Sequence, residues 1–166
     1  MNEGGLLLLI ALVAVLGALV LGIGDVEFDM PVIVPLQHCV RSPYTNHRYC
    51  LTPEGHTWVQ AENYARSHGG HLVSVGSQAE QDWLIQQFGG ARLFWVGFTD
   101  RVVESVWGWT NGNPATYTNW VAGEPNDANN NEDYAVMNWS SPGKWNDLGP
   151  DSVGWDDARI GIMEIP

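Results

Sequence analysis

The stretch GEPNDANNNEDY, residues 123–134, places Glu124, Asp127, Glu132 and Asp133 among four asparagines and one proline, with no basic residue. Like charges packed this closely repel unless water or a cation screens them. Carboxylate and amide oxygens are the donors that calcium collects in sets of about six to eight. Plain turn chemistry also enriches Asn and Asp in loops, so the loop by itself leaves both readings open.

Other residues offer less. His68 and His71 in SHGGHL are close enough to suggest a metal or catalytic pair, but they flank the stop of a helix. His56 and Ser140-Ser141 have no partner that would make a nucleophile and base. Glu124 and Glu132 could be mistaken for a glycosidase acid pair, yet as calcium ligands they would be withdrawn from proton transfer. No enzymatic activity is expected. A net charge of -12 with seven Lys and Arg argues against nucleic acid, which needs basic side chains on phosphate.

The elements that must position the loop are legible nearby. Thr57-Trp58-Val59-Gln60 is a capping box, and the helix it opens carries Trp58, Ala61, Tyr64 and Ala65 on one face until Gly69-Gly70. Ser77-Gln78-Ala79-Glu80 is a second box, leading through Trp83, Leu84 and Phe88 to Gly89-Gly90. Short apolar runs then alternate with Gly, Asn and Pro, at LFWVGF (93–98), VWGW (106–109), YAVMNW (134–139) and RIGIMEI (159–165), as short strands among long loops do. Two helices followed by sheet and loops predict an α+β domain, and 45% apolar residues are ample for its core.

Residues 1–24 read differently. From Leu6 to Ile23 every residue is apolar or glycine, about 27 Å of helix at about 1.5 Å per residue. A retained membrane anchor, a cleaved signal peptide and a filament-core helix all fit. The signal peptide lacks a basic n-region and an A-x-A site. The filament reading rests on Gly4-Gly5 before the apolar run, which resembles pilin-like leaders, although Ile10 stands where that family usually has glutamate. Residues 25–38 form an extended, proline-bearing linker, and the globular part runs over 39–166. Cys39 and Cys50, with ten residues between them, suit one disulfide in an oxidising compartment, the alternative being two buried thiols. Each N-terminal option exports the remainder to an extracellular or cell-surface location, with residues 5–24 meeting membrane or filament neighbours.

From TWVQAENYARSHGGHLVSV through WVGFTD, YTNWVAGEPND, NEDY and KWNDLG to GIMEI, the chain resembles a C-type lectin-like domain across nearly all of 39–166. The resemblance implies that family's fold: two helices packed on antiparallel sheets with a long calcium-binding loop region. It implies a sugar-site Ca2+ held by Glu124, Asn126, Glu132, Asn146 and Asp147, with Pro125 in cis. A second, structural Ca2+ would use Asp100, Glu104, Asp127, Glu132 and Asp133. It also assigns Cys39 and Cys50 to the N-terminal hairpin bridge of the family's long form. Ala65 and Met163 stand where the family usually has a cysteine pair, so the likeness is to a cysteine-poor, bacterial-looking branch.

The implied function is calcium-dependent binding of glycans. EPN accompanies mannose, glucose, N-acetylglucosamine or fucose hydroxyl pairs in the family, and QPD accompanies galactose. Trp120, Trp139 and Trp155 are available as a stacking wall beside the sugar. Weak single sites favour multivalent or homo-oligomeric display, as an adhesin would have. The alternative is a structural filament subunit or protein-binding module in which calcium only rigidifies loops.

Overall fold

The computed structural model describes residues 37–150 and 160–166. The apolar segment 4–24, the linker up to residue 36, and Trp155 lie outside the described residues. Among those described, no helix is long and apolar enough to cross a membrane.

Helix α1 (Trp58–Ser67) starts where its capping box predicts. Thr57 Oγ1 accepts from the Gln60 N–H at 3.3 Å and Gln60 Oε1 accepts from the Thr57 N–H at 2.9 Å. Helix α2 (Gln78–Phe88) has only half of its expected box. Ser77 accepts from the Glu80 N–H, but Glu80 Oε2 turns to the Gly76 N–H at 2.9 Å. The buried face of α1 is Trp58, Ala61, Glu62 and Ala65, so Glu62 takes the place expected for Tyr64. Its burial is possible because the Leu72 N–H, His71 and the Thr110 hydroxyl satisfy its carboxylate. On α2, Leu84 and Gln81 are buried, whereas Trp83 and Phe88 are half-buried.

Eight strands follow in chain order: β1 (Gln37–Arg41), β2 (Arg48–Leu51), β3 (His71–Leu72), β4 (Phe94–Thr99), β5 (Gly108–Trp109), β6 (Tyr134–Met137), β7 (Trp145–Leu148) and β8 (Ile162–Ile165). They form two four-stranded antiparallel sheets, ordered β1-β2-β8-β3 and β5-β4-β6-β7. The first strand begins at Gln37, so the expected linker gives up its last residues to the domain. Cys39 and Cys50 are paired across β1 and β2 and joined by a disulfide. Buried Ala65 and Met163 lie in one apolar cluster with Cys50 and Ile165, where close packing stands in for a bridge.

The tryptophans are mostly core. Trp58 Nε1 donates to Val96 O at 2.7 Å and Trp145 Nε1 to Gln81 Oε1 at 2.8 Å, so both rings are fully buried without an orphaned N–H. Phe98 stacks among Trp107, Trp109, Trp120 and Trp145. Gly97 on β4 passes close to β3; a Cβ there would lie 2.5 Å from Leu72 O and 3.0 Å from Thr110 Oγ1. Gly97→Ala is therefore expected to cost about 1–3 kcal/mol by overpacking, lowering the urea midpoint while leaving the slope unchanged.

The second sheet sets up the site. Thr99, Tyr134 and Leu148 are in line across β4, β6 and β7. Asp100 just after β4, Asp133 just before β6 and Asp147 within β7 consequently gather at one end of the sheet.

Candidate metal and ligand site

Asp147 organises the acidic loop. Fully buried on β7, it accepts from the Asn126 N–H at 3.0 Å and the Asp127 N–H at 2.7 Å. The loop folds on itself beyond this anchor: Asp127 Oδ1 accepts from the Glu132 N–H and Glu132 Oε2 from the Ala128 N–H, each at 3.1 Å. Asp127, Asn129 and Asn130 adopt positive φ, a conformation that Asn and Asp tolerate better than other side chains. The Glu124–Pro125 peptide is cis, as the resemblance implies.

Asp100 and Glu104 meet at one donor. The Ser105 N–H lies 2.9 Å from Asp100 Oδ2 and 3.0 Å from Glu104 Oε1. Asp133 joins them through its main chain, where its carbonyl accepts from the Thr99 hydroxyl at 2.7 Å and the Asp100 N–H at 3.3 Å.

A cavity of about 300 Å³ lies between these two groups, lined by Asp100, Glu104, Trp107, Asn126, Asp127 and Asp147, with Ser105 and Pro125. Glu124, Glu132, Asn146 and Asp133 do not line it. Glu124 and Glu132 each sit within electrostatic reach of Asp147. Asn146 precedes Asp147 on β7 and donates to its carbonyl at 2.7 Å.

Burial and mutual repulsion among the carboxylates set the electrostatics of the site. Burial, with Glu104 and Asp133 nearby, pushes the Asp100 carboxyl up to about 6, against the pull of the Ser105 N–H. Glu124 is raised by burial and then by Asp147 and Glu132, and Glu132 by burial and then by Asp147 and Asp127. Asp100 Oδ1, Glu124 Oε2 and Asn146 Oδ1 are buried with no hydrogen-bond partner. Orphaned oxygens of this kind are costly unless a donor or cation meets them. Among the described residues, no three acidic, histidine or cysteine side chains already converge as a closed metal cage. Of the three residues with orphaned oxygens, Asp100 lines the cavity while Glu124 and Asn146 lie beside Asp147, and carboxylate and amide oxygens of this kind fit a hard divalent cation.

Ser105 and Trp107 were missed by motif. Ser105 contributes its main-chain N–H and a hydroxyl that donates to Glu104 Oε1 at 3.3 Å, which no sequence pattern marks, and Trp107 is one of two tryptophans in VWGW. Neither Trp120 nor Trp139 lines the cavity; Trp120 packs edge-on to Trp107 and Trp145, and Trp139 lies half-buried against the other aromatic cluster. The two histidines part company. His68 Nδ1 is 2.8 Å from Tyr64 O and His71 Nδ1 is 2.7 Å from Glu62 Oε1.

A family model for the lectin C-type domain matches residues 54–153, more than half of the 166-residue chain. The chain belongs to the C-type lectin domain family. The mouse scavenger receptor C-type lectin carbohydrate-recognition domain superposes with a TM-score of 0.64 at 31% identity, over 76% of this chain and 92% of that one. The C-type lectin CEL-I from Cucumaria echinata does so at 0.67 and 26%, over 76% and 94%. Human C-type lectin domain family 17, member A is 35% identical over 106 residues, 64% of this chain and 27% of that protein.

The chain spans about a quarter to a half of the length of the first curated relatives it matches. A herring type II antifreeze protein, 23% identical at a TM-score of 0.63, shares the fold alone. C-type lectin domains are non-enzymatic binding modules, glycans are the family's ligands, and calcium is its general ion. The named relatives are animal proteins, and the expectation of a bacterial-looking branch finds no support among them.

Proposed function

We propose that this C-type lectin domain is an extracellular, calcium-dependent lectin for glycans of the mannose, glucose, N-acetylglucosamine or fucose class. The carrying observation is that Asp100, Glu124 and Asn146, three of the residues the calcium reading names, each hold a buried oxygen with no hydrogen-bond partner. Glu124, Asn126, Glu132, Asn146 and Asp147 would hold the sugar-site ion, and Asp100, Glu104, Asp127, Glu132 and Asp133 a second one. Bound calcium would offer exchangeable coordination positions for vicinal hydroxyls. The carboxylates of Glu124 and Glu132 would accept hydrogen bonds from those hydroxyls while the amides of Asn126 and Asn146 donate to them.

Order among these donors and acceptors sets preference, so Glu124→Gln with Asn126→Asp is expected to move binding toward galactose. Unchanged preference in a competition assay would show that the tripeptide does not choose the sugar. Calorimetric titration is expected to give two calcium equivalents for the native protein and one after Asp100→Asn with Glu104→Gln. A single equivalent in both would remove the second ion.

Export is supported by the disulfide and by similar proteins named as receptors, the mouse low affinity immunoglobulin epsilon Fc receptor and the mouse scavenger receptor C-type lectin. The trimeric structure of the Clec4f receptor lends weight to multivalent display. Intact mass of the native protein distinguishes a retained anchor or filament helix at residues 4–24 from a cleaved signal peptide.

A further inference from the structure

Two arginines converge on a second cavity, on the other side of the loop that follows β4. Among the other described basic residues Arg92 pairs with Glu54, Lys144 bonds Asn119, Arg41 bonds Asn46, and Arg48 on β2 has no ion pair and lies outside this cavity. Arg66 and Arg101 make no ion pair among the described residues, in a chain with 19 carboxylates. Both line a cavity of about 390 Å³. The Arg101 guanidinium sits 5.5 Å from the ring centroid of buried Trp58, which holds it against the wall.

Glu62 is the one carboxylate lining this space, and its bonds run inward. Its Oε1 lies 2.7 Å from His71 Nδ1, and its Oε2 accepts from the Leu72 N–H at 2.9 Å and the Thr110 hydroxyl at 3.3 Å. The guanidinium groups are thus left without an internal anion. Val102 and Val106, 85% and 63% exposed, add an apolar wall next to them.

We propose that this cavity is a second ligand site, for a saccharide bearing a sulfate ester or carboxylate. Arg66 and Arg101 receive the anionic group as charge-assisted donors, and the ring lies against Val102 and Val106. The volume is within the usual range for small-ligand sites, about 300–1,000 Å³. None of these residues belongs to the proposed calcium set, so the inference stands apart from that reading.

The test is NMR titration of the full chain, in calcium, with galactose 6-sulfate and galacturonate against galactose and inorganic sulfate. Galactose is chosen because the EPN order does not favour it. Saturable shifts with the two acidic sugars are expected, centred on the Arg66 and Arg101 side chains and the Trp58 indole. Binding at least about tenfold weaker is expected for Arg66→Gln with Arg101→Gln, and retention for Lys at both positions. Absence of saturation, equal affinity in the Gln variant, or equal affinity for inorganic sulfate would overturn the proposal. So would loss of binding in Glu124→Gln, which would place the anion at the acidic loop. Native chemical-shift dispersion and an unchanged melting temperature show that the double Gln variant is folded.

Discussion

Asp147→Asn is expected to weaken calcium binding by at least about 100-fold and to abolish calcium-dependent sugar binding with it. Replacing a group that merely supports a metal ligand costs about 10–100-fold, and Asp147 is placed to do both jobs. Its carboxylate accepts the Asn126 and Asp127 N–H groups, fixing the entry to the loop, and carries charge beside Glu124 and Glu132. The substituted amide keeps one acceptor oxygen but turns an N–H₂ toward main-chain donors. Calorimetric titration with calcium checks it. Calcium affinity within about threefold of the native protein would contradict the role given to Asp147.

The second large effect concerns stability without calcium. Asp100 is buried and its carboxyl lies at about 6 in the fold against an ordinary 3.8, so between those values the folded state binds the proton more tightly than the unfolded chain does. Stability therefore falls as pH rises through that window, and is greater at pH 5 than at pH 7.5. Glu124 and Glu132 are shifted in the same direction. Between pH 5 and pH 7.5 the contribution of Asp100 is on the order of 1–1.5 kcal/mol, a few degrees in melting temperature for a domain of this size.

Calcium should reverse the sign, because it binds the deprotonated carboxylates and so stabilises the fold most at neutral pH. Thermal melts in chelator and in calcium at both pH values measure this. Asp100→Asn in chelator should melt higher than the native chain at pH 7.5 and show a smaller pH response. A melting temperature in chelator that rises from pH 5 to 7.5 in both proteins would show that the acidic cluster is not under strain.

How far these features are legible in the sequence depends on whether the determinant is local. Helix α1 is fully announced because its capping box closes within four residues, Thr57 to Gln60. The same pattern at Ser77 is half right, since Gly76 competes for the Glu80 carboxylate and only the folded turn decides between them. Glu62 on α1 is written as a solvent residue, yet it is buried by partners from β3 and from the segment after β5.

WNDL carries a polar pair that hides its identity as strand β7, with all four residues buried. Two-residue strands such as β3 and β5 leave no periodicity to read. The charge density of the loop leaves a cation site and plain turn chemistry both open, and the match of EPN, WND, Asp100 and Glu104 to the family pattern is what favours a site. That Asp100, Asp133 and Asp147 gather at one sheet end follows from strand register, which the sequence does not display.

Whether calcium at the acidic loop makes this domain a lectin is decided by a glycan array probed with calcium and again with chelator. Binding to mannose, glucose, N-acetylglucosamine or fucose glycans is expected with calcium, and none with chelator. Binding that survives chelation, or no calcium-dependent binding to any of these glycans, would contradict it.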